Sequence, residues 1–413
     1  MRAENLTATP GISQSKRDGT TTVTLAILCQ VFHGLTFGGL ALFLPLIRDD
    51  LQISFAQAGM LSAAATLSYG LGQIPAGFLS DRYGPKRLFF IGLLGWSALS
   101  LSLGLIHAFW LAVLNLLAAG AFRALMFAPG LSLLASWFPP ERRATAMSLY
   151  MVGGFSGTIL VSLAGPFLAQ HLGWRYTFIL FAALGMAAAL VFRSHASEKP
   201  RRETGPHVGM LDALRLFRHR ILWVCSAIQF IRFSVVTAFN FWLPSLLVTD
   251  RGFSLAAAGL VTAMSAAFTA PSNALGGYVS DRMKNPPLVI GGSLAVLACA
   301  STLLVVVDSV PVLLLVVATG SVFLQFYFGP LFFVPIEVLG QRTVGTAIGF
   351  SNLFANLGGM LSAYALGMVR DEAGTFTWGF IGISVLCLVG VVLSAVLARM
   401  RNAALAERHT QTT

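Results

Sequence analysis

The sequence predicts an all-α membrane protein of twelve transmembrane helices, arranged as two parallel repeats of six. Three observations predict it. Of the 413 residues, 56% are hydrophobic and only 10% are charged, against about 25% charged in a soluble domain. The apolar residues come in runs long enough to cross a bilayer, which takes about 20 helical residues. And residues of the first half recur in the second at one fixed offset.

The runs place spans at roughly 23–46, 55–79, 88–106, 109–137, 144–169, 174–192, 221–247, 255–279, 287–307, 311–335, 343–368 and 375–398. Most connections are short. Residues 193–220 are the exception and hold Arg193, Lys199, Arg201, Arg202, Arg215, Arg218 and Arg220. This segment divides the chain into a bundle over 21–192 and a bundle over 221–398. Residues 1–20 read as a polar, disordered tail and 399–413 as a second tail. The first apolar stretch, Val23 to Ile47, is too long for a signal-peptide core and is expected to stay in place.

Charge orients the chain. An even number of spans puts both termini on one side, and that side collects 21 of the 27 Lys and Arg residues. The other side has Arg48, Arg175, Arg251 and Arg370, while Arg123 and Arg232 lie inside spans. The positive-inside rule then predicts cytoplasmic termini and a multi-pass protein of the cytoplasmic (inner) membrane. The same placement explains the net charge of +11 as topology and argues against nucleic acid as a partner.

The repeat is dense. Leu44-Pro45 recurs as Leu243-Pro244, and Ser54, Ala56, Ala58 and Gly59 recur as Ser254, Ala256, Ala258 and Gly259. Gly77, Ser80, Asp81 and Arg82 recur as Gly277, Ser280, Asp281 and Arg282, at an offset of 199 or 200 throughout. Six spans per half make the repeats parallel, related by an axis along the membrane normal. Their central interface suits alternating access by rocking.

Polar groups inside spans are costly and mark function. Gln30, His33, Gln73, Asn115, Arg123, Gln229, Arg232, Asn240, Asn273, Gln325, Asn352 and Asn356 fall in spans 1, 2, 4, 7, 8, 10 and 11 and are expected to face a cavity. Spans 3, 6, 9 and 12 have no Arg, His, Asn or Gln in their interiors. Arg123 and Arg232 lie near mid-span, and all sixteen acids fall in tails, loops or span ends. Two central cations without carboxylates imply that a substrate brings the negative charge, which guanidinium binds bidentately. Gln229, Arg232, Val236 and Asn240, spaced 3, 4 and 4, are expected on one helix face, as are Thr66, Tyr69 and Gln73 in span 2. The expected substrate-binding residues are therefore Arg123, Arg232, Gln229, Asn240, Tyr69, Gln73, Asn352 and Asn356. His33 is the candidate for proton coupling, because imidazole titrates near neutrality and no membrane carboxylate competes for the task.

No enzyme is expected, because the spans hold no nucleophile, metal-ligand or paired-acid cluster. Cys29, Cys225, Cys299 and Cys387 each stand inside an apolar span without metal-ligand spacing, so neither metal nor cofactor is expected.

The segment Gly77-Phe78-Leu79-Ser80-Asp81-Arg82-Tyr83-Gly84-Pro85-Lys86-Arg87 resembles the hallmark loop of the major facilitator superfamily, with a degenerate copy at Gly277 to Lys284. The resemblance covers the whole chain. It implies that Gly77, Asp81, Arg82, Asp281 and Arg282 belong to a gate that latches the two bundles on the cytoplasmic side in the outward-open state. The blank spans 3, 6, 9 and 12 match the four outer helices of that superfamily. Asn240-Phe241-Trp242-Leu243-Pro244 with Arg251-Gly252-Phe253-Ser254, and Ala135-Ser136-Trp137-Phe138-Pro139-Pro140-Glu141-Arg142-Arg143, are similar to its organic anion:cation symporter branch. Together these readings imply a secondary active permease for a small organic anion such as a carboxylate, working as a monomer by proton-coupled uptake through alternating access. The alternative is proton-driven efflux of drugs or amphipathic metabolites. Gly165-Pro166 resembles an exporter element of span 5, but Phe167-Leu168-Ala169 comes next in place of that element's further glycines.

Overall fold

A computed structural model describes residues 10–138, 143–198, 219–339 and 344–412, and among them the regular structure is all helical. Span 1 is Pro10–Leu42, continued after a break at Phe43 by Leu44–Leu51. Pro45 has no amide hydrogen and restarts the helix from its first turn. Span 2 is Phe55–Tyr83, opened by a capping box in which Ser54 Oγ accepts from Gln57 N and Gln57 Oε1 accepts from Ser54 N. Spans 3 and 4 are Pro85–Leu103 and Phe109–Trp137. Spans 5 and 6 run together as Arg143–His195 and turn at Gly173, whose φ of 77° suits glycine.

The second half repeats this plan. Span 7 is Arg220–Thr237, a π-helical turn over Ala238–Trp242, then Leu243–Thr249. Span 8, Leu255–Met283, opens on Ser254, whose Oγ accepts from Ala257 N as Ser54 does for span 2. Spans 9 and 10 are Pro286–Val306 and Val310–Phe326 continued by Phe328–Leu339. Spans 11 and 12 are Val344–Ala373 and Thr377–Thr412.

Nine described segments are apolar and long enough to cross a membrane by themselves, and one of them, Leu149–His195, holds two spans. Spans 2 and 11 are missing from that set. They are the polar pair, and they pack on each other across the two halves.

The described ends, Pro10 and Thr412, lie on one face, here called the near face; the opposite face is the far face. All four far-face arginines are paired with aspartates: Arg48 with Asp49 at 2.6 Å, Arg175 with Asp50 at 2.6 Å, Arg251 with Asp308 at 3.0 Å and Arg370 with Asp250 at 3.0 Å. Asp50 and Asp250 stand 200 residues apart, so the repeat extends to the acid of these pairs, whereas the arginines come from different places, the start of span 6 and the end of span 11. Two near-face basic residues instead hold the ends of helices. Lys86 donates to Ala196 O, and Arg401 makes a fork with Glu337 at 2.6 and 2.8 Å.

The two halves meet on the far face and part on the near face. Small residues let the backbones close up there. A Cβ at Gly59 would meet the Ala363 carbonyl, one at Gly367 the Phe55 carbonyl, and one at Gly259 the Ser162 carbonyl and Pro166. Halfway down, a Cβ at Gly70 would still come within 2.9 Å of Asn356 Cβ. At Gly77 and Gly277 it would meet nothing within 4 Å among the described residues. The conformation is open toward the termini.

The tails differ from expectation. The helix of span 1 begins at Pro10, inside the segment expected to be disordered, and span 12 continues as helix through the expected tail to Thr412. Once a helix is nucleated, each further residue gains a backbone bond at little cost, so a span readily runs on past the bilayer. Thr22 also anchors the start of span 1, donating to Ser197 O and accepting from Ser197 N at 2.8 Å. Residues 199–218 of the expected central loop lie outside the described residues.

Candidate substrate site and gate

Arg123 stands fourteen residues from either end of Phe109–Trp137, at the middle of span 4. Its guanidinium carbon lies 4.1 Å from the Phe37 ring centre and 4.2 Å from that of Tyr69. Spans 1 and 2 thus supply a ring each to one cation. His33, one helical turn before Phe37, stacks on it at 5.8 Å and 14° and also meets Trp96 of span 3 at 5.1 Å. Trp96 is itself held by Thr36, whose Oγ1 accepts from Nε1 at 2.7 Å. Gln73 follows Tyr69 by four residues, one turn further along span 2 and on the same helix face. His33 Nε2 is buried without a partner among the described residues.

Ring faces satisfy a guanidinium by cation–π attraction but take none of its in-plane donors. Arg123 has no hydrogen-bonded or ion-paired partner among the described residues, and it is partly exposed. Its edge is therefore free for a planar two-oxygen acceptor, which a carboxylate is.

Arg232 is placed differently. It is 4% exposed, its Nε donates to Gln229 Oε1 at 2.7 Å, and one terminal nitrogen donates to Gln325 Oε1 at 3.1 Å. Phe328 lies 4.9 Å from the guanidinium carbon. Arginine only donates, so both amides must present oxygen to it. That leaves Gln229 Nε2 buried without a partner among the described residues, as is the Tyr327 hydroxyl. Neutral amide oxygens hold the guanidinium in place without cancelling its charge.

Asn356 of span 11 is buried against Gly70, next to Tyr69, and donates to Asn352 O at 2.8 Å; its Oδ1 has no partner among the described residues. It brings an amide of the second half to the Arg123 cluster of the first. The structure therefore gathers His33, Tyr69, Gln73, Arg123 and Asn356 around one seam, and Gln229 and Arg232 with Gln325 around another.

Two expectations need correction. Asn240 does not share the buried face of Gln229, Arg232 and Val236. It falls in the π turn Ala238–Trp242, which widens the helix by one residue per turn and shifts the residues after it out of register; Asn240 is exposed. Asn115 does not face the central cavity, because its Nδ2 donates to Ser102 Oγ of span 3 at 2.6 Å. Phe37, Trp96, Tyr327 and Phe328 belong to the site without being marked by the pattern of polar residues. The spacing of four between His33 and Phe37 is the one available signal.

At the gate, Gly77 and Gly277 have no neighbour against a Cβ among the described residues, and Asp281 and Arg282 are exposed. Arg82 lies 5.5 Å from the ring centre of Tyr83, and Arg282 donates to Tyr278 Oη at 3.2 Å, so each arginine stays with its own loop. The Asp81 side chain lies outside the described residues. A latch that joins the bundles only when the near face closes is expected to be apart in this conformation.

A twelve-span bundle in two repeats, opened toward its termini around midspan arginines, defines a membrane transporter of the alternating-access type. The chain belongs to the Major Facilitator Superfamily, whose profile matches residues 26–363. It is 24% identical over 408 residues to the hexuronate transporter of Bacillus subtilis (strain 168), covering 91% of this chain and 94% of that one. It is 26% identical over 356 residues to the nitrite extrusion protein of the same organism, covering 84% and 86%. Its fold matches a bacterial homolog to the human lysosomal transporter Spinster, solved in an inward-facing and unoccupied conformation. The TM-score is 0.76 at 19% identity, over 94% of this chain and 97% of that one.

Proposed function

We propose that the protein is a secondary active permease for a small organic anion, bound as a carboxylate by the free edge of Arg123. The observation that carries this reading is a mid-membrane guanidinium held by two rings with no acceptor of its own among the described residues. Leaving such a charge uncompensated costs at least about 2.5–3.5 kcal/mol on insertion scales. A substrate carboxylate offsets that cost, and this ties binding to substrate charge. The hexuronate transporter among its relatives supports the class. Tyr69, Gln73, Asn352 and Asn356 supply hydroxyl and amide partners for a hydroxylated anion. Arg232, fixed by Gln229 and Gln325, contributes its field and its remaining donors.

The excess of basic residues on the near face supports a cytoplasmic near face and a place in the cytoplasmic membrane. The conformation described is then inward-open. His33 is the proton site of this reading. A protonated His33 and Arg123 repel one another across Phe37. An anion on Arg123 offsets that repulsion, so proton and substrate favour each other's binding. The nitrite extrusion relative favours a second reading in direction alone, in which the same anion site serves export.

Thermal-shift binding to the purified protein tests the class. Glucuronate and galactonate are expected to raise the melting temperature, and neutral sugars and organic cations are not. Stabilisation by cations alone contradicts the proposal.

A further inference from the structure

The far face is held shut by a contact that one seam has and its pseudo-symmetric counterpart lacks among the described residues. Asp371, at the far end of span 11, accepts from Phe55 N at 2.9 Å through Oδ1 and from Ala56 N at 2.7 Å through Oδ2. These are the first two amides of span 2, in the other half of the molecule. Such amides have no partner inside their helix and sit at its positive end. Ser54 satisfies a different donor, Gln57 N. Above the contact, the Phe55 ring lies 4.8 Å from the Arg370 guanidinium and 4.1 Å from that of Arg48, and meets Phe376 edge-on at 5.5 Å. Residues of both halves therefore converge on the first turn of span 2.

The offset of 200 maps Phe55 and Ala56 onto Leu255 and Ala256, and Asp371 onto His171. On that side Ser254 repeats the cap of Ser54. Among the described residues, however, nothing accepts from Leu255 N or Ala256 N, and His171 meets Phe167 of its own span edge-on at 4.5 Å. Phe167 also stands where the first seam has Gly367, the residue that admits the Phe55 carbonyl. The seam of spans 2 and 11 is tied by a carboxylate; the seam of spans 5 and 8 is packed without one among the described residues.

We infer that Asp371 is the far-face latch of the alternating-access cycle. Its carboxylate on the N-terminus of span 2 holds the conformation seen here, and its release lets the far face open. Both donors are backbone amides, so the latch depends on the charge and reach of Asp371 rather than on any side chain of span 2. It involves no substrate group, goes beyond the anion reading, and stands or falls separately from it.

Double electron–electron resonance decides the matter. Spin labels go on His107 and Ser309, which are exposed on far-face loops of opposite halves, in protein whose four native cysteines are replaced and which is reconstituted without substrate. Asp371→Ala is expected to raise the ratio of the long to the short far-face distance about tenfold, and Asp371→Asn, which keeps one acceptor oxygen but no charge, to raise it less. His171→Asp places a carboxylate at the second seam and is expected to lower the ratio. Unchanged distributions in Asp371→Ala protein that melts as the wild type does would overturn the latch. Should that variant fail to fold, absence of a shift in both Asp371→Asn and His171→Asp overturns it equally.

Discussion

Arg123 and Arg232 are both cations inside a membrane span, and the structure makes them unequal. Arg123 spends its ring-facing surfaces on Phe37 and Tyr69 and keeps its edge, whereas Arg232 has already committed donors to Gln229 and Gln325. Arg123→Lys keeps the charge and loses the planar fork, so carboxylate affinity is expected to fall at least about tenfold, about 1.4 kcal/mol. Arg232→Ala is expected to cost less affinity than Arg123→Ala when both are titrated calorimetrically with the same sugar acid. His33→Gln keeps a polar side chain that does not titrate. It is expected to preserve counterflow exchange of substrate while abolishing accumulation driven by a pH gradient; accumulation equal to wild type would remove His33 from the coupling step. The charge imbalance behind these predictions was legible in the sequence, because it needs only a count of acids per span. The ring sandwich was not, because Phe37 and Tyr69 come from two other spans: Tyr69 shares a polar face with Gln73 and Phe37 follows His33 by four, but neither spacing pairs these rings with Arg123.

At the scale of elements, the long apolar spans and the caps of spans 2 and 8 arise from local sequence, and the repeat carries Ser54 onto Ser254 with the same hydrogen bond. The π turn of span 7 does not. Helical spacing puts Asn240 under Val236, but the π turn between Ala238 and Trp242 takes Asn240 off that buried face and leaves it exposed. Trp242 is meanwhile buried, with Nε1 donating to Ala363 O of span 11 at 3.1 Å. That tertiary bond is not visible in a one-dimensional pattern. Asp250 shows a second element-scale dependence. It accepts from Arg370 at 3.1 Å, Thr375 at 3.1 Å and Phe376 N at 2.7 Å, and so ties the end of span 7 to the turn between spans 11 and 12. Asp250→Ala leaves a partly buried guanidinium and an amide unpaired. It is expected to lower unfolding free energy by about 1–3 kcal/mol, read as loss of thermal stability in detergent without a change in substrate preference.

For the whole molecule, twelve spans, parallel repeats and a net bias of basic residues to one face agree with the family to which the chain belongs. The bias carries a topological expectation. A cysteine at Ser197 should resist an impermeant thiol reagent in sealed cells, while one at Asp308 should react; labelling at Ser197 would invert the orientation. The conformational state was not legible, since the sequence serves every state of the cycle equally. It emerges only from where Gly59, Gly70 and Gly77 find or lose a neighbour. The central claim is that a mid-membrane guanidinium recognises a small organic anion and carries it across. Uptake of a radiolabelled sugar acid into oriented proteoliposomes, for the wild type and Arg123→Ala side by side, tests this most directly. The account predicts saturable uptake by the wild type, competed by other carboxylates and abolished in Arg123→Ala; no carboxylate uptake by active wild-type protein, or equal uptake by the variant, would contradict it.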